Sequence, residues 1–194
     1  MIPVRLVVLA KAPVAGKAKT RLIPRLGPDG AAALAAGMLA DTLAEAAQAP
    51  VAAVELCTDP APGHPDWGPH LPERVALSAQ GPGDLGERLA RIARRVVDGG
   101  EAVLLVGTDC PGLTSDRLGG AAAALQAHDA AIHPTEDGGY ALLGLTRFHP
   151  SIFADIAWSS ASVAASTLSR LHALGWTVHV GTTLRDIDEP ADLP

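Results

Sequence analysis

Short apolar segments alternate with longer alanine-rich segments along most of this chain. Residues 4–10 ("VRLVVLA") are apolar almost throughout and rich in β-branched side chains, which is typical of a strand buried on both faces of a parallel sheet. Residues 28–48 are rich in alanine and leucine, with Pro28 at their start and Pro50 just beyond their end. Because a helix accepts proline in its first turn but not in its interior, this pattern predicts one long helix.

The alternation predicts a parallel sheet covered by helices, since βαβ units connect with a fixed hand. The short "TEDGG" connection at residues 135–139 predicts an antiparallel pair, so the sheet should be mixed and mostly parallel. We therefore expect a single α/β domain over residues 1–194, Rossmann-like, with three layers in the order α/β/α. The predicted strands are 4–10, 51–58, 74–79, 101–107, 129–134, 140–145 and 176–180, and the predicted helices are 28–48, 85–98, 115–127 and two short ones near 150–156 and 161–174. The proline-rich residues 59–72 are predicted to lack regular structure.

Composition excludes several classes of protein. The net charge of -6 and the aromatic content of 3% argue against a nucleic-acid-binding surface, which needs a basic face and rings for base stacking. Cys57 and Cys110 are far apart with no CxxC spacing, so neither a zinc site nor a disulfide framework is predicted. No apolar stretch approaches the ~20 residues that cross a bilayer. We expect a cytoplasmic protein that binds neither nucleic acid nor a membrane.

All three lysines of the chain, Lys11, Lys17 and Lys19, lie in the loop after the first predicted strand, together with Arg21. Cations this close repel one another, so a folded loop that collects them is stabilised by an anion, of which phosphate is the best candidate. The alternative is that these are solvated surface charges. The loop is not a Walker-type P-loop, because Lys11 stands where that motif needs glycine and Ala18 where it needs serine or threonine.

Residues 81–86 ("GPGDLG") match the GxGxxG pattern, but they follow the third predicted strand rather than the first, so a dinucleotide site is not predicted. Asp84 and Glu87 have the spacing of a capping box for the next helix. The glycines could still let the backbone approach a nucleobase or ribose closely.

Carboxylates follow the strands at the edge where α/β sheets bind ligands. Asp109 ends a predicted buried strand. Thr114 or Ser115 is better placed to cap the next helix, which leaves Asp109 free for a ligand or metal. Asp186 and Asp188 point to the same side of an extended segment. Converging carboxylates of this kind suit Mg²⁺, which binds one or two of them together with phosphate oxygens.

Asp137, in the turn "TEDGGY", fits two interpretations. Asp-Gly is favoured in hairpin turns for its backbone conformation alone, and a carboxylate at this edge of the sheet could also contact a ligand. The histidines show no HxH or HExxH spacing and the chain has no GxSxG elbow, so the sequence predicts neither zinc chemistry nor serine hydrolysis.

Five ordered segments resemble one family: "AKAPVAGKAKTRL", "GPGDLGERL", "GTDCPGL", "EDGGYALLGL" and "DIDEPADL". They resemble the small bacterial glycosyltransferases that are associated with radical-SAM and arsenosugar gene clusters and have the nucleotide-diphospho-sugar transferase (GT-A) fold. The likeness covers nearly the whole chain. More distantly, the chain is similar to phospholactate guanylyltransferases and sugar-acid cytidylyltransferases, which share the basic first loop and the terminal segment.

The resemblance implies a site with three parts. The first loop would bind the phosphates of a nucleotide, two aspartates would hold Mg²⁺ or Mn²⁺ against them, and the turn at 137–139 would line the sugar or acceptor pocket. The implied metal ligands are Asp109 and Asp188, with Asp186 as a further candidate. The nucleotide-binding candidates are Ala10, Lys11, Gly16, Lys17, Lys19, Thr20, Arg21, Gln80, Gly81 and Thr108. The catalytic candidates are Lys11, Lys19, Arg21 and Asp109, and the sugar or acceptor candidates are Asp137, Gly138, Gly139 and Trp158.

Two chemistries are compatible with such a site. A glycosyltransferase would use the cations to stabilise a departing nucleoside diphosphate while a small-molecule acceptor attacks the sugar of a nucleotide sugar. A nucleotidyltransferase would use them on the attacked α-phosphate of an NTP while pyrophosphate leaves. The resemblance favours the first, and the strongly basic loop favours the second. A binding protein that senses a nucleotide without turning it over is a third possibility, although a metal pair opposite a phosphate loop has little use there.

Overall fold

A computed structural model describes residues 1–193 and contains one seven-stranded sheet. Its strands are β1 (Val4–Lys11), β2 (Ala53–Asp59), β3 (Ala76–Ala79), β4 (Ala102–Val106), β5 (Ala130–Pro134), β6 (Tyr140–Leu145) and β7 (Val178–Val180). Their order across the sheet is β3-β2-β1-β4-β6-β5-β7. Only β6 runs antiparallel to its neighbours, β4 and β5. The predicted mixed, mostly parallel sheet is therefore confirmed.

Four α-helices cover the sheet: α1 (Ile23–Gln48), α2 (Leu85–Asp98), α3 (Ser115–Ala124) and α4 (Val163–Ala173). The first is interrupted at Gly27, whose φ of 71° is left-handed, so regular helix begins at Pro28 as predicted. The capping box of α2 is also confirmed, because Asp84 accepts from the Glu87 N–H and Glu87 accepts from the Asp84 N–H.

Two apolar clusters lie on opposite faces of the sheet and make the fold three-layered. On one face, Leu39 of α1 and Leu118 of α3 pack against side chains of β1 and β4. On the other face, Ile92 of α2 and Leu171 of α4 pack against side chains that alternate with the first set along the same strands. The central strand β4 is buried at every position, which explains its continuous apolar sequence.

Four local predictions were wrong. In place of the helix predicted near 150–156, only a three-residue 3-10 segment forms, Pro150–Ile152. Helix α3 ends at Ala124 rather than 127, because residues 125–127 form a turn. Neither Thr114 nor Ser115 caps this helix with its hydroxyl. Instead the Glu45 carboxylate of α1 accepts from the Ser115 N–H at 2.6 Å, which also ties the two helices together. The proline-rich loop contains a short 3-10 segment, Pro65–His70, since the ring of Pro65 presets a turn-forming φ.

Within residues 1–193, no helix combines the length and the apolar composition that crossing a membrane requires.

Candidate active site

The carboxyl ends of parallel strands β1, β2 and β4 meet at one edge of the sheet. Lys11, at the end of β1, is directly opposite Asp59 at the end of β2. The residues that follow β4 lead to Thr108 and Asp109 at the same edge. Ligands of α/β folds bind in this region. The topology thus brings the lysine loop and the first candidate metal ligand together, as the sequence predicted.

Two hydrogen bonds attach the C-terminal segment to this edge. The Ile187 N–H donates to the Asp109 carbonyl oxygen at 2.8 Å. The thiol of Cys110 donates to the Arg185 carbonyl oxygen at 3.2 Å, and burial raises the pKa of this thiol. Because Ile187 is hydrogen-bonded to the Asp109 backbone, the next residue, Asp188, lies close to Asp109 although the two are far apart in the sequence.

Lys19 lies between the two predicted metal ligands. Its Nζ is 2.6 Å from Asp109 Oδ1 and 2.7 Å from Asp188 Oδ1, and it also donates to the Ile187 carbonyl oxygen at 2.6 Å. The Lys19 side chain is only 9% exposed, whereas the two carboxylates are 48% and 38% exposed. An ammonium group thus fills an all-oxygen cage, which we define as the Asp109, Asp188 and Ile187 oxygens.

Asp192 positions the backbone of Asp188, a role that the sequence analysis missed. Its carboxylate accepts from the Glu189 N–H at 2.7 Å and the Asp188 N–H at 3.1 Å. These N–H donors, that of Glu189 first, hold the pKa of Asp192 below its usual range. The three-residue spacing of Glu189 and Asp192 around Pro190 is a capping-box pattern and was a usable signal.

Asp186 lies beside the cage rather than in it. Burial is the main cause of its raised pKa, and the carboxylates of Asp137 and Asp188 raise it further by repulsion. Among residues 1–193 no group of three or more histidine, cysteine, aspartate or glutamate side chains is gathered into a metal site. The structure therefore brings Asp109 and Asp188 together around one cation and leaves Asp186 as a neighbour.

The turn at 137–139 is built as a tight structural element. Asp137 Oδ1 accepts from the Thr135 hydroxyl at 2.5 Å and from the Gly139 N–H at 2.9 Å. The Gly138 carbonyl oxygen accepts from Ala164 of α4. The turn interpretation of Asp137 is therefore confirmed by these hydrogen bonds, and its contact with a ligand stays a prediction.

The Trp158 side chain packs against the start of α2. A Cβ placed on Gly86, in the first turn of α2, would lie 2.7 Å from the Trp158 indole nitrogen. Gly138 abuts Ala161, three residues after Trp158. The 137–139 turn therefore packs on the segment before α4, whereas the Trp158 side chain contacts α2.

The cations of the first loop are not all in one place. Lys17 Nζ is 2.8 Å from Asp66 Oδ2, in the proline-rich segment, and this contact is the main cause of the lowered pKa of Asp66. Lys11 is exposed and lines an open pocket of about 230 Å³ that Lys17, Asp59 and Asp66 also line. Arg21, also exposed, lies 4.0 Å from Glu189. Sequence patterns gave no signal for Asp66, which lies 49 residues from Lys17.

Replacing Asp66 by asparagine should strengthen the binding of inorganic pyrophosphate. The substitution releases Lys17 from its counter-ion and removes a negative charge from the pocket. Because an exposed ion pair is weak, we expect affinity to rise by only roughly threefold. Isothermal titration calorimetry with pyrophosphate measures this, with the remote Asp98→Asn variant as the control for lost charge. Equal or weaker binding by D66N would show that the Lys17 contact does not compete with anions.

Gln80 and Gly81 lie in the loop after β3, where other residues of the protein contact both of them. The Gln80 amide donates to the Ala10 and Cys57 carbonyl oxygens at 3.1 Å each, and its oxygen accepts from Arg88. A Cβ on Gly81 would lie 2.9 Å from the Arg91 guanidinium. The side chain of Gln80 thus joins β1 to β2, and its role toward a nucleotide stays a prediction.

Two of the four remaining nucleotide-binding candidates have no polar side chain, so only their backbone atoms could hydrogen-bond a nucleotide. Ala10 is buried and its carbonyl oxygen is taken by Gln80. Gly16 has a left-handed φ of 78° with open space where a Cβ would be. Thr20 is exposed, and Thr108 is half-buried beside Asp109.

His133 of β5 anchors the start of the C-terminal segment. Its Nδ1 lies 3.0 Å from the Thr182 carbonyl oxygen, which can only accept, so this nitrogen carries a proton. Its ring packs so closely on Gly181 that a Cβ there would lie 2.2 Å from it. Burial lowers the pKa of His133.

Acidification should therefore destabilise the protein partly through His133. Because the folded pKa is below the unfolded value of about 6.5, protonation favours the unfolded chain. The contribution is present above about pH 6.5 and is lost as pH falls through 6.5 toward the folded pKa. Urea unfolding at pH 7.5 and 5.5 should show a smaller loss of stability in His133→Gln, whose amide can keep the bond to Thr182, than in the wild type. Equal losses in both proteins would exclude His133 as a source of acid sensitivity.

The cage fits a hard divalent cation by its donor chemistry. It offers two carboxylate oxygens and a carbonyl oxygen, the ligand types that Mg²⁺ and Mn²⁺ take in proteins. It already holds a positive charge, the Lys19 ammonium, at the point that these oxygens share. The cage thus has the oxygen ligands that such an ion takes, and these oxygens already stabilise a positive charge.

Several solved structures are similar to this one over nearly the whole chain. A protein from Desulfovibrio desulfuricans G20, provisionally described as a nucleotide-diphospho-sugar transferase, is 31% identical, with a TM-score of 0.87 over 97% of this chain and 84% of that chain. A Mycobacterium tuberculosis H37Rv protein in complex with manganese is 18% identical, with a TM-score of 0.53 over 98% and 95%. CMP:2-keto-3-deoxy-manno-octonic acid synthetase complexed with CTP is 12% identical, with a TM-score of 0.54 over 97% and 94%.

The two more distant likenesses establish the fold alone, and together with the first they confirm the nucleotide-diphospho-sugar transferase fold. No curated protein sequence matches this chain at a significant level. One family model matches residues 42–160, which include α2, β4 and the 137–139 turn. The chain therefore belongs to the family described as "Uncharacterized protein conserved in bacteria (DUF2064)".

Proposed function

We propose that the protein is a divalent-metal-dependent transferase that uses a nucleotide-activated donor, and that it transfers a glycosyl group from a nucleotide sugar. The observation that carries this proposal is that Asp109 and Asp188 converge on one point, now occupied by the ammonium group of Lys19 from the first loop. The description of the 31% identical Desulfovibrio protein as a nucleotide-diphospho-sugar transferase supports the choice of donor.

Each part of the site has a role in this reaction. Asp109 and Asp188 would hold Mg²⁺ or Mn²⁺, which when bound supplies positive charge to the leaving diphosphate. Lys11 and Lys17 would bind phosphate oxygens from the open side of the pocket, where both line the cavity. Fixed cations at this point stabilise the charge that develops as the bond to the sugar breaks.

The acceptor would enter beside the 137–139 turn. The turn is rigid, because Asp137 and Gly138 are bonded to their own loop and to α4. A rigid wall next to the cage suits a pocket that must orient an acceptor toward the donor sugar. Trp158 would contribute the apolar side of this pocket.

Nucleotidyl transfer is the second candidate, and the charge of the first loop favours it. Four cations, Lys11, Lys17, Lys19 and Arg21, lie within eleven residues, which is more than a nucleoside diphosphate sugar alone requires. The same residues would then stabilise charge on the α-phosphate of an NTP while pyrophosphate leaves. A nucleotide-binding protein without turnover would use the same contacts but form no product.

One panel of reactions separates these candidates. The protein is incubated with each NTP and each common nucleotide sugar in the presence of Mg²⁺, and pyrophosphate and nucleoside diphosphate are assayed separately. Nucleoside diphosphate release supports glycosyl transfer, and pyrophosphate release supports nucleotidyl transfer. Calorimetric binding is measured in parallel, since an unidentified acceptor can keep turnover silent. Absence of binding to every nucleotide would contradict both enzyme assignments.

A further inference from the structure

We propose that the Lys19 ammonium and a divalent cation compete for the same oxygen cage, so that entry of the metal expels Lys19 toward the nucleotide phosphates. This inference rests on the proposed function, because it concerns the metal of that same site. It assigns to Lys19 the role of an internal counter-ion that the metal replaces.

The three contacts of Lys19 leave its ammonium no unused donor. Its Nζ lies 2.6 to 2.7 Å from Asp109 Oδ1, Asp188 Oδ1 and the Ile187 carbonyl oxygen, and an ammonium group has three N–H donors. All three oxygens are ligands that a hard cation would use. Two cations cannot occupy the one point at which these oxygens converge, so binding of the metal requires the ammonium to leave.

The backbone around Lys19 is fixed, so departure needs movement of the side chain only. Ala18 on one side is 6% exposed and Leu22 on the other is fully buried. Lys19 itself has a left-handed backbone, with φ 45° and ψ 47°, and its carbonyl oxygen accepts from the Leu22 N–H at 2.8 Å. The four-carbon stem of lysine is flexible and can rotate away from a fixed backbone.

Competition between Lys19 and the metal couples metal binding to nucleotide binding. Without nucleotide, a lysine expelled from the cage would lose both carboxylate partners and gain only water. With nucleotide, the expelled ammonium meets phosphate oxygens beside Lys17, so the cost of expulsion falls. Metal and nucleotide should then each strengthen the binding of the other by the same factor.

The wild-type protein can report the exchange directly, because it contains only three lysines. In protein labelled with ¹⁵N at lysine Nζ, we expect one slowly exchanging ammonium signal without metal, assigned to Lys19 by its absence in Lys19→Arg. Saturation with Mg²⁺ should abolish that signal, because the freed ammonium exchanges protons with water. A Lys19 signal that persists at saturating Mg²⁺ would overturn the proposal.

Manganese affinity provides the second measurement, by electron paramagnetic resonance without nucleotide. Lys19→Met should bind Mn²⁺ roughly tenfold more tightly than the wild type, because no ammonium competes for the carboxylates. Lys17→Met, which loses the same charge from the same loop but contacts Asp66, should change Mn²⁺ affinity less than about twofold. Circular dichroism melts establish that each variant is folded. Equal or weaker Mn²⁺ binding by K19M would contradict competition.

The outcomes separate this inference from the proposed function. If the wild type binds Mn²⁺ and nucleotide while Lys19 stays in the cage, the exchange is wrong and the proposed metal-dependent site stands. If Mn²⁺ binds neither alone nor with nucleotide, the metal-dependent function fails and the exchange fails with it.

Discussion

Replacing Asp109 by asparagine should lower Mg²⁺-dependent product formation at least about 1000-fold, because a fixed charge of the catalytic centre is lost. Asparagine keeps the shape of the side chain but cannot balance a cation that Asp188 then holds alone. The fold should survive, since the side chain is 48% exposed and the contact to Ile187 is made by the Asp109 backbone oxygen.

The matched control is Asp98→Asn, which removes one negative charge at the far end of α2 from the site. Its product formation and its Mg²⁺-dependent nucleotide binding should equal those of the wild type. Turnover and calorimetric binding are measured on all three proteins. If D109N binds the Mg²⁺–nucleotide complex as tightly as D98N does, Asp109 is not part of the site.

Replacing Gly138 by alanine should destabilise the protein by about 3 kcal/mol or more. The causes are backbone strain and a steric clash between the new Cβ and backbone atoms that cannot move without displacing their segments. The residue has a left-handed φ of 90°, and a Cβ on it would lie 2.2 Å from the Ala161 carbonyl oxygen. Both clashing partners are backbone. The 137–139 turn or the start of α4 would have to move, and activity should fall with stability.

Gly100→Ala separates strain from clash, because Gly100 has a similar φ of 84° with nothing within 4 Å of a Cβ. This control should cost only about 1 kcal/mol, the ordinary penalty for a side chain in the left-handed region. Urea unfolding of both variants gives the two free energies. A G138A protein no less stable than G100A would mean that the turn does not press on Ala161.

The sheet could be predicted from sequence because its signals are local. The apolar run of β1, the capping box at Asp84 and the "TEDGG" turn each depend on a few adjacent residues. The error at the start of α3 arose because a distant residue supplies the contact. Glu45 caps α3 from a different helix, and no pattern near Ser115 reveals it.

The candidate site was predictable only in part, for the same reason. The rule that parallel strands carry ligands at their carboxyl ends was enough to place Asp109 with the first loop. It could not reveal that Lys19 lies between Asp109 and Asp188, since that contact joins residues up to 169 positions apart. Nor could it separate Lys17 from Lys19, which the fold directs to different carboxylates.

The central claim is that Asp109 and Asp188 form the cation centre of a nucleotide-dependent transferase. Its most direct test is a crystal of the protein grown with Mn²⁺ and the nucleotide that binds most tightly in the panel, measured at the manganese absorption edge. We expect an anomalous peak bonded to carboxylate oxygens of both aspartates and to a phosphate oxygen of the nucleotide. Bound nucleotide with no manganese at these two carboxylates would contradict the account.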